Sequence, residues 1–143
     1  MIDREALDAR LEKLEEYVGY LKEFQERSFG DVKSDPTLRG AIERYLQLSI
    51  ECAVDTGGIL ISSLGLRKPE NSYGVIMALG EAGIIPEDFA NRFAPVTGFR
   101  NILVHEYAAI DLRQVYRHLQ EDLVDFDRFA RHIAQWLQEP GRK

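Results

Sequence analysis

Apolar residues recur every three or four positions along most of this chain, a spacing that suits an α-helix and not a β-strand. The stretch from Asp3 to about Arg27 shows it clearly, with Glu and Lys side chains between the apolar positions. Those positions are Leu7, Leu11, Leu14, Val18, Leu21 and Phe24. With no β-pattern of note and no internal repeat, the sequence predicts an all-α fold, an antiparallel up-and-down bundle of about five helices.

Capping residues and helix breakers set the expected ends of these helices. Asp35 followed by Pro36 predicts a helix start, because Asp caps a helix and Pro suits its first turn. Gly57-Gly58 can kink or divide that helix, and Pro95 and Gly98 can bend a later one. The expected helices cover about 3–27, 36–66, 72–82, 86 onward, and 111–138, with Asp3, Ser72 and Asp111 as further N-caps.

Length and composition indicate one globular domain over residues 1–143, with a flexible tail at 138–143. The 143 residues are 45% hydrophobic and 29% charged, which is ordinary for a chain that buries a core. No apolar run approaches the ~18 residues of a membrane span, and the N-terminus lacks the features of a signal peptide. Cys52 is the single cysteine, which favours a reducing compartment. We therefore expect a cytoplasmic protein.

The segment from Arg100 to Tyr107 combines four kinds of polar group within two helical turns; it reads R-N-I-L-V-H-E-Y. Arg100 offers a fixed fork of donors for phosphate oxygens, and His105 can take and give a proton near neutral pH. Asn101 can orient either neighbour, and Tyr107 can donate, stack or be modified. Composition alone favours structural roles for such residues, whereas their concentration in one segment indicates phosphate chemistry.

The helical period separates the two most reactive groups of this motif. At ~100° per residue, Arg100 and His105 lie about 140° apart on a straight helix, while Tyr107 shares a face with Arg100. Either the helix ends near Val104 and His105 swings round, or a symmetric interface completes the site.

The overall charge argues against a broad nucleic-acid surface, because the chain carries a net charge of −6 and a pI near 5.1. A small cleft needs only a few local cations, so we expect a basic pocket on an acidic body. The arginines that lie close to the motif in sequence are Arg92, Arg100, Arg113 and Arg117.

The motif resembles R-x-x-x-x-H-x-Y, the signature of the HepT-like toxins within the HEPN superfamily of helical ribonucleases. The flanks Gly98-Phe99 and 109–112, together with the upstream run from Arg44 to Gly57, also look like that family. The similarity spans nearly the whole chain and three segments in the right order.

The resemblance implies the toxin of a type II/VII-like toxin–antitoxin pair, acting as an endoribonuclease on RNA, with tRNA suggested by the family. The ribose 2′-hydroxyl would attack the adjacent phosphate, with His105 as general base or acid and Arg100 stabilising the charge. Asn101 would orient one of them. No cofactor is expected, and no metal, since His105, His118 and His132 lie far apart without C-x-x-C or H-E-x-x-H.

The resemblance also implies partners. HEPN proteins are generally homodimers whose two motifs face each other in a cleft. In HepT-like proteins the tyrosine at the position of Tyr107 is nucleotidylated by an MNT-type nucleotidyltransferase antitoxin, and an added AMP would block RNA and pair with Arg100.

Two questions stay open at the level of sequence. Arg44 and Glu51 lie on one stripe of the second long helix, which is either a solvated face or a border of the cleft or dimer interface. The chain is either an active ribonuclease or a non-catalytic HEPN binding module that serves as partner and modification substrate of a nucleotidyltransferase.

Overall fold

The structure is a computed structural model that describes residues 2–105 and 110–139. Within them it contains eight α-helices and no strand, which confirms the all-α prediction. The helices are α1 (Arg4–Phe24), α2 (Phe29–Ser34), α3 (Pro36–Ser63), α4 (Ser72–Glu81), α5 (Glu87–Phe93), α6 (Val96–His105), α7 (Leu112–Glu121) and α8 (Leu123–Gln138).

Short polar side chains start most of the helices, as the sequence predicts. The Asp3 carboxylate accepts from the Ala6 amide at 3.1 Å, and the Asp35 carboxylate accepts from the Leu38 amide at 3.1 Å. Each bond satisfies an amide that has no partner within its helix. Asp111 caps α7 in the same way.

The expected boundaries need four changes. Ser28 was expected to end a helix but forms a capping box with Asp31 that starts α2. Asn71 caps α4 in place of Ser72. Pro95, which has no amide to donate, separates α5 from α6. The expected last helix is divided at Asp122, which ends α7 and begins α8. These divisions turn about five expected helices into eight.

The glycine pair in α3 does not divide that helix, which runs unbroken for 28 residues. Gly57 is buried against α4, and a β-carbon there would lie 2.6 Å from Val75 Cγ1 and 3.1 Å from Leu79 Cδ1. Gly58 has open space beside it. The first glycine therefore permits close helix packing and does not act as a hinge.

Helix α3 is the central element, packed against α1, α2, α4, α6, α7 and α8. One continuous apolar core surrounds it, including the fully buried Leu46, Phe126 and Phe129. Because one of its sides faces α6, α3 forms a fixed wall for the helix that carries the motif. No helix in the described ranges is long and apolar enough to span a membrane.

We expect Gly57→Ala to lower the free energy of unfolding by about 1–3 kcal/mol, because the new methyl group overpacks the α3–α4 contact. Gly58→Ala is the matched control; without a steric clash it should stabilise α3 by up to about 1 kcal/mol. Urea unfolding of both variants measures the difference. Equal or greater stability of Gly57→Ala would contradict the packing role of this glycine.

Candidate functional site

Arg100 is joined to Glu51 across the contact between α6 and α3. Its Nε and Nη2 atoms lie 3.0 and 2.9 Å from Glu51 Oε2, and Gln47 Nε2 donates to the same oxygen at 3.1 Å. The two charged side chains are 34% and 29% exposed. The guanidinium is thus held in a defined orientation and partly neutralised, while its remaining N–H groups can reach solvent.

The packing of α6 explains why Arg100 lies at this border. Val96, Phe99 and Leu103 are buried, which fixes that side of the helix in the core. Arg100 is half-buried at the edge of this apolar face and Asn101 is exposed. Asn101 Oδ1 accepts a long hydrogen bond of 3.4 Å from Arg100 Nη1. The structure thus brings together two of the three predicted catalytic residues.

A cleft of about 170 Å³ opens beside Arg100 between α3, α4 and α6. Its apolar floor comes from Ile50 and Val54, and Asp55 and Ser72 add a carboxylate and a hydroxyl. The sequence did not single out Ser72 or Asp55 for this site, because they reach the cleft only through the packing of α3 against α4.

His105 is the last residue of α6 and is exposed. The described helix thus ends within one residue of Val104, and positions 100 and 105 lie about 140° apart around a regular helix. That His105 swings round at the end of this helix stays a prediction. Completion by a second copy of the chain stays a prediction. Tyr107 lies outside the described residues.

Of the two stripe residues, Glu51 is a member of the Arg100 site and Arg44 is not in contact with that pair. Arg44 is exposed on α3, and no hydrogen bond or ion pair joins it to another described residue. Glu51 lines the cleft beside Arg100, and its place at a dimer interface stays a prediction.

The expected cluster of arginines does not converge on this site. Arg92 Nε lies 3.3 Å from Asp125 Oδ1, Arg117 lies 4.0 Å from Glu121, and Arg113 lies over the ring of Phe29 at 6.0 Å. Each binds a partner near its own helix. Proximity in sequence therefore overestimated the positive charge around Arg100.

His118 packs against α6 at Phe99. Its ring stacks on Phe99 with centroids 3.8 Å apart, and its Nδ1 pairs with Asp122 one turn later. The side chain of His118 is only 15% exposed. The spacing of His118 and Asp122 was the available signal, whereas the stacking on Phe99 depends on tertiary packing.

Among the described residues, other reactive groups do not form a second centre near the motif. Burial raises the pKa of the Cys52 thiol to about 11, so the thiolate is scarce at neutral pH. Within residues 2–105 and 110–139, no three His, Cys, Asp or Glu side chains are grouped to hold a metal ion.

Arg100→Met and Glu51→Gln should show an energetic coupling of about 0.5–1 kcal/mol in a double-mutant cycle, a modest value because solvent screens a pair that is one-third exposed. Urea unfolding of both single variants and the double variant measures it. The exposed pair Arg4–Asp8, whose atoms lie 3.6 Å apart, is the control and should show almost no coupling. Equal coupling in both pairs would contradict a specific role of the first.

Comparisons with known proteins identify the family to which the sequence is similar. A family model described as Ribonuclease HepT-like matches residues 12–133. The chain is 32% identical over 131 residues to the tRNA nuclease HepT of Aphanizomenon flos-aquae, covering 92% of this chain and 89% of that protein. It is 33% identical over 129 residues to a putative RNase of Archaeoglobus fulgidus, covering 90% and 93%.

Solved structures show the same fold. The cytosolic protein YutE of Bacillus subtilis superposes with a TM-score of 0.86 at 20% identity, covering 99% of this chain and 95% of that one. The tri-AMPylated HEPN toxin of Shewanella oneidensis, solved in complex with its MNT antitoxin, gives a TM-score of 0.83 at 22% identity, covering 94% and 99%.

Proposed function

The chain belongs to the HepT-like ribonuclease family, and on that basis we propose that it is the toxin of a type II/VII-like toxin–antitoxin pair, cleaving RNA without a metal ion. Its enzyme class, an endoribonuclease, follows from the family match and from the nuclease names of its relatives. The observation that carries the finer proposal is the Arg100 guanidinium, held by Glu51 at the wall of a cleft on the helix that ends in His105.

In this proposal the ribose 2′-oxygen attacks the adjacent phosphorus and the bond from phosphorus to the 5′-oxygen breaks. The products are a 2′,3′-cyclic phosphate and a 5′-hydroxyl end. Arg100 binds the scissile phosphate and stabilises the charge that develops on its oxygens. His105 takes the proton of the 2′-hydroxyl or supplies one to the leaving oxygen. Asn101 orients the guanidinium.

A homodimer is part of the same proposal. The reaction needs both a base and an acid, whereas one chain supplies one histidine in the motif. The regular helix through His105 supports this assignment, because it leaves Arg100 and His105 in different directions. A two-fold axis beside α6 would place the two copies of the motif around one substrate.

The substrate and the regulating partner are also inferred. Relatives are named tRNA nuclease HepT and mRNA nuclease HepT, which supports RNA; the former shares 32% identity with this chain and favours tRNA. The antitoxin complex with an AMPylated toxin of the same fold supports an MNT-type nucleotidyltransferase partner. Tyr107 is the proposed AMPylation site.

The alternative is a non-catalytic binding module. The net charge of −6 favours it, as does the partial neutralisation of Arg100 by Glu51. The nuclease names of the relatives favour the catalytic function.

His105→Ala and Arg100→Ala should each reduce RNA cleavage by about 100-fold or more, because proton transfer and charge stabilisation contribute separately. The assay uses total tRNA with EDTA present and identifies the cyclic phosphate by mass spectrometry. Arg128→Ala, which removes an exposed cation on α8, is the control and should cleave normally. Circular dichroism should show intact helices in all three. Cleavage at full rate by both motif variants, or its dependence on added magnesium, would contradict the mechanism.

Tyr107→Phe should keep most of the cleavage activity and escape silencing by the partner nucleotidyltransferase, because it lacks the hydroxyl that accepts AMP. Each form is incubated with the partner and ATP. Mass spectrometry then measures the mass gained from AMP, and an assay measures RNA cleavage. Tyr116→Phe, which keeps Tyr107, is the control and should gain AMP and lose activity. A modified wild type that still cuts at full rate would refute this regulation.

A further inference from the structure

Three arginines lie along the seam between α3 and the segment that begins with α6, and two of them are already bound. Arg100 is paired with Glu51. Arg39 donates from Nε to Glu43 and from Nη2 to the Ile110 carbonyl, both at 3.2 Å. Arg44 is exposed and forms no hydrogen bond or ion pair with any other described residue. Among these three, its guanidinium is the one that no described residue neutralises.

The contacts between α3 and the segment from α6 onward give the relative direction of the two helices. Val54 and Thr97 line the same cleft, Glu51 pairs with Arg100, and Arg39 reaches the Ile110 carbonyl. Residues with lower numbers on α3 therefore lie beside residues with higher numbers on α6 and in the segment that follows it. The two helices run in opposite directions.

Helix geometry gives the level of Arg44 along this seam. Arg44 precedes Glu51 by seven residues, which is ~10.5 Å along the axis and close to two full turns, so both occupy nearly the same face of α3. His105 follows Arg100 by five residues, ~7.5 Å along the opposite direction. Arg44 and His105 therefore lie on the same side of the Arg100–Glu51 pair, within ~3 Å of the same axial level.

The charges around Arg100 largely cancel, so RNA binding there needs another positive charge, which Arg44 can supply. Glu51 offsets Arg100, and the Asp55 carboxylate lines the same cleft, its own partner Arg10 being 3.7 Å away. The whole chain carries a net charge of −6. An RNA backbone that approaches Arg100 thus meets a locally balanced site on an acidic protein, and its binding needs an uncompensated cation close by.

We propose that Arg44 binds a backbone phosphate of the RNA next to the scissile one, on the His105 side of the Arg100–Glu51 pair. This inference rests on the proposed ribonuclease function and assigns Arg44 to substrate binding, apart from the proton transfer. Its loss should therefore raise KM and leave kcat almost unchanged.

The test compares Arg44→Gln, Arg44→Lys and the control Arg128→Gln, each measured for cleavage kinetics and, in a His105→Ala background, for RNA affinity at several salt concentrations. Arg44→Gln should weaken binding by about tenfold at low salt and reduce the slope of log K against log salt by about 0.7. Arg44→Lys should restore most of the slope, since it keeps the charge. Arg128→Gln should match its parent.

The wild-type protein and its His105→Ala form, used for cleavage and binding respectively, distinguish failure of the Arg44 proposal from failure of the proposed ribonuclease function. If the first cleaves RNA and the second binds it but Arg44→Gln has the salt slope of Arg128→Gln, the role of Arg44 is refuted and the ribonuclease stands. Sedimentation of each variant adds a second check, because a loss of activity accompanied by dissociation into single chains would place Arg44 in a subunit interface and overturn the proposal. A parent that neither cleaves nor binds RNA would remove both.

Discussion

The ion pair between Arg100 and Glu51 joins the two helices on which the described candidate residues stand. Helix α3 is packed against six other helices, and the ion pair holds the Arg100 side chain of α6 against it. Its contribution to stability is modest because solvent reaches both side chains. Its main consequence is positional. The Nε and Nη2 atoms of the guanidinium are bound to Glu51, which fixes the direction in which its remaining N–H groups point.

In the proposed mechanism, this arrangement sets a balance between substrate binding and catalysis. Glu51 lowers the attraction of Arg100 for a ground-state phosphate, since the two opposite charges lie within hydrogen-bonding distance. A transition state carries more charge on its oxygens, and donors already in place respond to it without reorganisation. An arginine held in this way is therefore better suited to stabilising charge that develops than to capturing substrate.

The features that could be predicted from the sequence are those that depend on residues close together in the chain. Helical period and Asp caps gave the all-α class and most helix starts, because both depend on neighbours in the chain. The close packing at Gly57 involves Val75 of another helix, and so it could not be read from the local sequence. The motif itself was visible, whereas the pairing of Arg100 with Glu51 joins residues 49 positions apart and required the packed structure.

Net charge alone does not determine what this surface can bind. Coulombic attraction in salt decays within roughly 10 Å, so a phosphate responds to the few groups beside it and little to distant carboxylates. Ion pairing then determines which cations can attract a phosphate. The charge of Arg92 is largely neutralised by Asp125. The charge of Arg44 is not neutralised by any described residue. An acidic chain can thus present a locally cationic path. The pairing pattern, which only the fold reveals, determines where that path runs.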